Sequence, residues 1–126
     1  MTDIRDYSAR RDFENVIASC KAEGWTAFFT DKKAAFAEAL SGSVTLTAFT
    51  DGVYCGFIRC ITDGCFTVYC CELLVDRRYR GKGIGRQLIR AVSERYPGLC
   101  IDVLSDSDAF YKSCGFDCMG SGMRKA

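Results

Sequence analysis

The sequence predicts an α+β fold in three layers, with a mixed but mostly antiparallel sheet flanked by helices. Two observations carry that expectation. Strand-forming runs follow one another across Asp51-Gly52 and Asp63-Gly64 in the middle of the chain, and Asp-Gly between such runs is a hairpin signal. Segments of helical period lie on either side of them. At 126 residues the chain is read as one domain, residues 1–126, long enough to bury a single core. Its 48% hydrophobic and 26% charged residues are those of an ordinary globular protein.

A short strand is expected from Thr2 to Arg5. Phe13, Val16, Ile17 and Cys20 then recur at the spacing of one helical face, which predicts a helix from Ala9 to Glu23 that Gly24 ends. Thr30 or Asp31 can cap a second helix running through Leu40, with Phe36, Ala37 and Leu40 inward. Between the two helices, Trp25, Phe28 and Phe29 plug the core or line a surface. Val44 to Thr50, Val53 to Thr62 and Cys65 to Val75 follow as a three-stranded meander. The next helix runs from Gly83 to Arg95, where Pro97-Gly98 stops it. Leu99 to Leu104 is the following strand. Ser105 or Asp106 is positioned to cap a short helix through Cys114, and a small hairpin from Phe116 to Lys125 completes the order.

Composition removes several chemistries. With no histidine, a Ser-His-Asp or Cys-His hydrolase lacks the base that activates its nucleophile, and histidine-ligated zinc is excluded with it. Nine cysteines include no Cys-x-x-Cys pair. Cys55, Cys60, Cys65 and Cys70 recur every five residues, an interval that alternates faces along a strand. They read as small buried hydrophobes in a reducing compartment, and no metal is expected. Seventeen basic and 16 acidic residues leave a net charge of +1, which gives no footprint for nucleic acid. No run approaches a membrane span and Met1 to Asp6 lacks a signal-peptide core, so a cytoplasmic location is expected.

The chemistry concentrates at Arg80-Gly81-Lys82-Gly83-Ile84-Gly85, between a strand-like run and a helix-like run. Backbone N–H groups at a helix start have no intrahelical partner and face a positive dipole end, so they hold an anion. Arg77, Arg78, Arg80, Lys82, Arg86 and Arg90 make the same region cationic. Two phosphate motifs fail here. A P-loop needs Ser or Thr after Lys82, where Gly83 stands, and a dinucleotide fingerprint needs glycine at Arg86 or at Leu88.

Arg80, Gly83 and Gly85, following Leu73-Leu74-Val75, form an Arg-x-x-Gly-x-Gly pattern that resembles the acyl-CoA signature of the GNAT superfamily of N-acetyltransferases. A second element, Phe110-Tyr111-Lys112-Ser113-Cys114-Gly115-Phe116, resembles the family's Phe-Tyr-x-x-x-Gly-Phe segment. The resemblance implies a GNAT-like sheet splayed between the strand ending at Val75 and the strand from Leu99. It further implies a pantetheine arm paired along Leu73, Leu74 and Val75, and a pyrophosphate held by Arg80, Gly81, Lys82, Gly83, Ile84, Gly85 and Arg86. By the same resemblance Tyr111 is the general acid for the leaving thiolate, and the Val75 N–H stabilises the oxyanion. Glu72 is the candidate base. It shares what should be one strand face with Val68, Cys70 and Leu74, although a bulge there would turn it away.

Two departures qualify the match. The strand-end asparagine common in the family is replaced by Ser105-Asp106-Ser107-Asp108, and the final segment is short, which raises a homodimer as the means of completing the acceptor site. The expected function is direct acetyl transfer from acetyl-CoA to a small-molecule amine or peptide acceptor. The alternative is a non-catalytic coenzyme A sensor or scaffold, and a nucleotide-binding fragment ranks below both.

Overall fold

The computed structural model describes all residues 1–126. Its elements run β1 (Thr2–Asp6), α1 (Ala9–Glu23), a 3-10 turn (Thr26–Phe28), α2 (Lys33–Gly42), β2 (Val44–Thr50), β3 (Val53–Thr62), β4 (Val68–Val75), a second 3-10 turn (Arg77–Tyr79), α3 (Ile84–Arg95), β5 (Ile101–Val103) and α4 (Asp108–Ser113). The five strands lie in the order β1-β2-β3-β4-β5. The first four are antiparallel, and β5 is parallel to β4. The α+β layout with a mostly antiparallel sheet is the one the sequence predicts.

Each face of the sheet carries its own core. On one, Leu46, Ile58, Cys60, Val68 and Cys70 pack under Ile84, Leu88, Ile89 and Val92 of α3 and Tyr111 of α4. On the other, Phe49, Tyr54, Phe57 and Leu74 meet Val16, Ile17 and Cys20 of α1 and Phe36 and Leu40 of α2. No helix is long and apolar enough to cross a membrane.

Local chemistry explains most boundaries. Gly24 closes α1 in the left-handed region at φ 80°, with its N–H bonded back into the last turn. Asp51 and Gly52, at φ 51° and 82°, make the mirror-image turn that suits a right-twisted hairpin. At the next hairpin the Asp63 carboxylate accepts the N–H groups of Cys65, Phe66 and Thr67, which holds its carboxyl down at about 2. Those bonds keep residues 65–67 out of the ladder, so β4 starts at Val68 and not at Cys65.

Other expectations are corrected. Helix α2 starts at Lys33 without a side-chain cap, because the Thr30 hydroxyl donates back to the Thr26 carbonyl. Ser107 precedes α4, where Ser105 or Asp106 was expected. Strand β5 shrinks to three residues, the only stretch that finds partners on β4. The terminal hairpin is absent: residues 116–126 hold no strand, and Met119 and Met123 are exposed. Gly120 and Gly122 interrupt the alternation a strand needs. The cysteines do not alternate faces either. Cys55 is a bulge residue, skipped where Ala48 and Phe49 pair with Gly56 and Tyr54, so Cys55, Cys60 and Cys70 all enter one core.

One buried charge holds the first layer in place. Asp12, fully buried, accepts bonds from the Ser8 N–H, the Thr47 hydroxyl and two nitrogens of Arg11. Asp12→Ala removes the charged acceptor that the Ser8 N–H and the Thr47 hydroxyl share, and is expected to cost about 3 kcal/mol. In a melt that reads as a Tm lower by roughly 10 °C, with a smaller loss in Asp12→Asn, which keeps one acceptor oxygen.

Candidate functional site

A β-bulge decides which groups of β4 face which neighbour. Arg59 pairs with Glu72 and Cys60 with Cys70, so Cys71 is the extra residue. Past it the strand's alternation reverses, as one inserted residue requires. Val68 and Cys70 point to the α3 side, whereas Leu74 joins the α1 and α2 core. Glu72 lies with Leu74, on the face opposite to Val68 and Cys70, which corrects the expected face. Its carboxylate is clasped by Arg59 at 2.6 and 2.7 Å, with 9% of the side chain exposed. Arg59 also donates to the Ser43 hydroxyl. This is a buried, fork-on-fork ion pair whose geometry occupies both carboxylate oxygens.

The end of β4 leaves main-chain groups unpaired. The Asp76 N–H donates to the Cys55 carbonyl, so strand alternation turns the groups of Leu74 toward β3 and those of Leu73 and Val75 away from it. Strand β5 pairs only with Val68, Tyr69 and Cys70. Past Cys70, β4 therefore has no strand partner on its β5 side at Leu73 and Val75. Gly56 lets β3 lie close against the end of β4: a Cβ there would stand 2.7 Å from the Leu74 carbonyl oxygen.

The glycine turn follows directly. Gly81 and Gly83 have φ values of 78° and 81°, a left-handed backbone that glycine adopts without penalty. Gly83 precedes the first residue of α3 with no side-chain cap over the helix end, so the leading N–H groups stay available for an anion. Ile84 anchors the turn from below, 2% exposed in the core.

The cations around the turn divide by role. Arg80 is not turned to the helix end: it donates to the Val75 carbonyl at 2.8 Å and to Glu23 at 2.7 Å. Arg77 also faces Glu23. Arg86 reaches Ser113 on α4, while Lys82 lies over the Tyr79 ring. Arg80 thus ties the strand end to the C-terminal turn of α1, fifty-seven residues earlier. Beside it, the Ser19 hydroxyl donates to Asp76 at 2.5 Å, and burial raises the affinity of Asp76 for its proton. Sequence reading missed both links from α1, since nothing local to Glu23 or Ser19 announces a partner so distant in the chain.

Helix α4 brings Tyr111 against the same core. Its side chain is 8% exposed, flanked edge-on by Phe110 and Phe116 with ring centroids 5.1 and 5.3 Å away. Burial, reinforced by Cys70 and Asp106, raises the phenol's pKa above its ordinary value. The phenol therefore keeps its proton through the neutral range. Tyr111 also lines a groove of about 1070 Å³ that runs between β5, α4 and the C-terminal segment, with Asp102, Asp108 and Asp117 on its walls. The groove does not extend to the glycine turn.

Comparison with known proteins agrees with the fold. A family model described as an acetyltransferase (GNAT) domain matches residues 41–118. The chain is similar to the structure of a GNAT-family acetyltransferase from Streptococcus pneumoniae, with a TM-score of 0.77 and 24% identity over 99% of this chain and 97% of the other. It is similar to glucosamine-6-phosphate N-acetyltransferase from Arabidopsis thaliana, with a TM-score of 0.75 and 17% identity over 100% and 98% of the two chains. A ribosomal-protein-alanine N-acetyltransferase from Brucella melitensis is comparable, with a TM-score of 0.76 and 17% identity over 100% and 99%. No curated protein matches by sequence.

Proposed function

Because the chain belongs to the acetyltransferase (GNAT) family, we propose that it transfers the acetyl group of acetyl-CoA directly to a primary amine, with Tyr111 as general acid. The observation that carries this reading is that the unpartnered edge of β4 runs directly into the glycine turn and the uncapped start of α3. The N–H groups of Leu73 and Val75 point away from β3 along that edge, and Gly81, Gly83 and the first turn of α3 follow it in the chain. A pantetheine arm can pair along the strand while its pyrophosphate meets the helix start. Lys82 and the backbone of Gly81 to Arg86 are the phosphate-holding groups; Arg80 contributes by bracing the Val75 carbonyl.

The amine nitrogen attacks the thioester carbonyl carbon, the Val75 N–H stabilises the charge on its oxygen, and the C–S bond breaks. Tyr111 gives its proton to the departing thiolate. The proton lost by the amine passes to solvent, since Glu72 is held by Arg59 on the face toward α1. Asp106, close enough to act on the Tyr111 phenol, and Asp108 on the groove wall favour a cationic small-molecule amine or peptide as acceptor.

Thermal melting tests the donor. Acetyl-CoA or coenzyme A at about 100 times its dissociation constant is expected to add about 2.7 kcal/mol, a rise of several degrees in Tm. A rise with ATP or NAD and none with either CoA species would overturn the reading. Thiol release with a panel of amines then separates an enzyme from a coenzyme A sensor, which binds and releases nothing.

A further inference from the structure

Gly85 has an ordinary helical backbone, so conformational freedom does not explain it. A Cβ built there would stand 2.9 Å from Cζ and 3.3 Å from Cε1 of Phe110, closer than real Cβ contacts come. The ring of Phe110 thus rests on the bare backbone of the first turn of α3. A second contact joins the same two turns: Arg86 donates to the Ser113 hydroxyl, which itself donates to the Phe110 carbonyl at 2.6 Å. On its other side Phe110 meets the Tyr111 ring edge-on. The phosphate-binding turn and the helix carrying the phenol are therefore two halves of one packed joint.

We propose that Gly85 and Phe110 are positioning residues, whose contact sets the height of α4 and so the position of the Tyr111 hydroxyl. The proposal rests on the acetyl-transfer reading for its kinetic test and on geometry alone for its physical one. Neither residue touches the reacting atoms. Gly85 acts by what it lacks, and Phe110 acts by passing its seat on α3 to the next side chain.

Gly85→Ala is the probe, because alanine favours a helix over glycine and the added methyl meets the ring of Phe110. The turnover number is expected to fall roughly tenfold, since a misplacement near 1 Å costs on the order of 100-fold and the ring must move by a few tenths of that. The KM for acetyl-CoA and the Tm rise on binding coenzyme A should stay within about threefold and about two degrees of wild type. Phe110→Leu should also slow turnover, and Gly85→Ala with Phe110→Leu should turn over faster than the product of the two single effects allows. Unchanged turnover in Gly85→Ala, or strict additivity in the double variant, overturns the proposal.

A wild type that binds acetyl-CoA and acetylates no amine overturns the reaction instead, and the joint is then read by hydrogen exchange. Coenzyme A is expected to slow exchange at residues 108–116 in the wild type and to lose that effect in Phe110→Ala while residues 84–88 remain protected. Equal protection of 108–116 in both chains overturns the joint.

Discussion

Tyr111→Phe is expected to lower turnover by roughly 10- to 1000-fold, because general acid work is typically of order 10² to 10⁴ and water can supply part of it. The substitution removes one oxygen and keeps the ring that Phe110 and Phe116 flank edge-on, so folding and acetyl-CoA affinity should be unaffected. A thiolate expelled without a proton donor is a poor leaving group, which places the loss in the chemical step: kcat and kcat/KM fall together. The pH profile supplies an independent reading. Burial raises the phenol's pKa from its ordinary 10, so the protonated, competent form persists as pH rises through neutrality. No alkaline decline from this group is expected below about pH 10. Full activity in Tyr111→Phe, measured with an amine that the wild type acetylates, would remove the acid role and leave the tyrosine as core packing.

What could be read in the sequence, and what could not, follows the reach of each signal. Helix α1 matches its predicted span, Ala9 to Glu23, because a period-3.6 apolar face and a closing glycine are both local. The Asp51-Gly52 hairpin matches for the same reason. The glycine turn and Tyr111 could be located because backbone conformation and a short motif carry them. Glu72 could not: its face depends on Cys71 being skipped in the pairing with β3, and a bulge arises from two strands together. Arg80 reads as a phosphate ligand until Glu23 is brought beside it by the packing of α1. Gly85 reads as one more glycine of a phosphate cradle, yet what demands it is Phe110, twenty-five positions on. The C-terminal hairpin fails differently, since Phe116 to Lys125 contains strand formers too few and glycines too many to hold a ladder.

Gly83 separates a conformational demand from a steric one and carries the other large effect. A Cβ at this position would meet nothing within 4 Å, so substitution adds no clash. What it changes is the cost of φ 81°, which a β-branched residue avoids. The unliganded chain already holds this left-handed conformation, and a bound pyrophosphate needs it to keep the leading N–H groups of α3 convergent. A residue that relaxes the turn to escape a strain of about 1–3 kcal/mol therefore gives up binding. Gly83→Val is expected to weaken coenzyme A by roughly 5- to 150-fold in calorimetric titration. Gly83→Asn should fall between it and the wild type, because asparagine visits the left-handed region more readily. Wild-type affinity in Gly83→Val at an unchanged Tm would mean that the helix start does not hold the phosphates. It would also separate Gly83 from Gly85, whose alanine variant is expected to keep the cofactor and lose the rate.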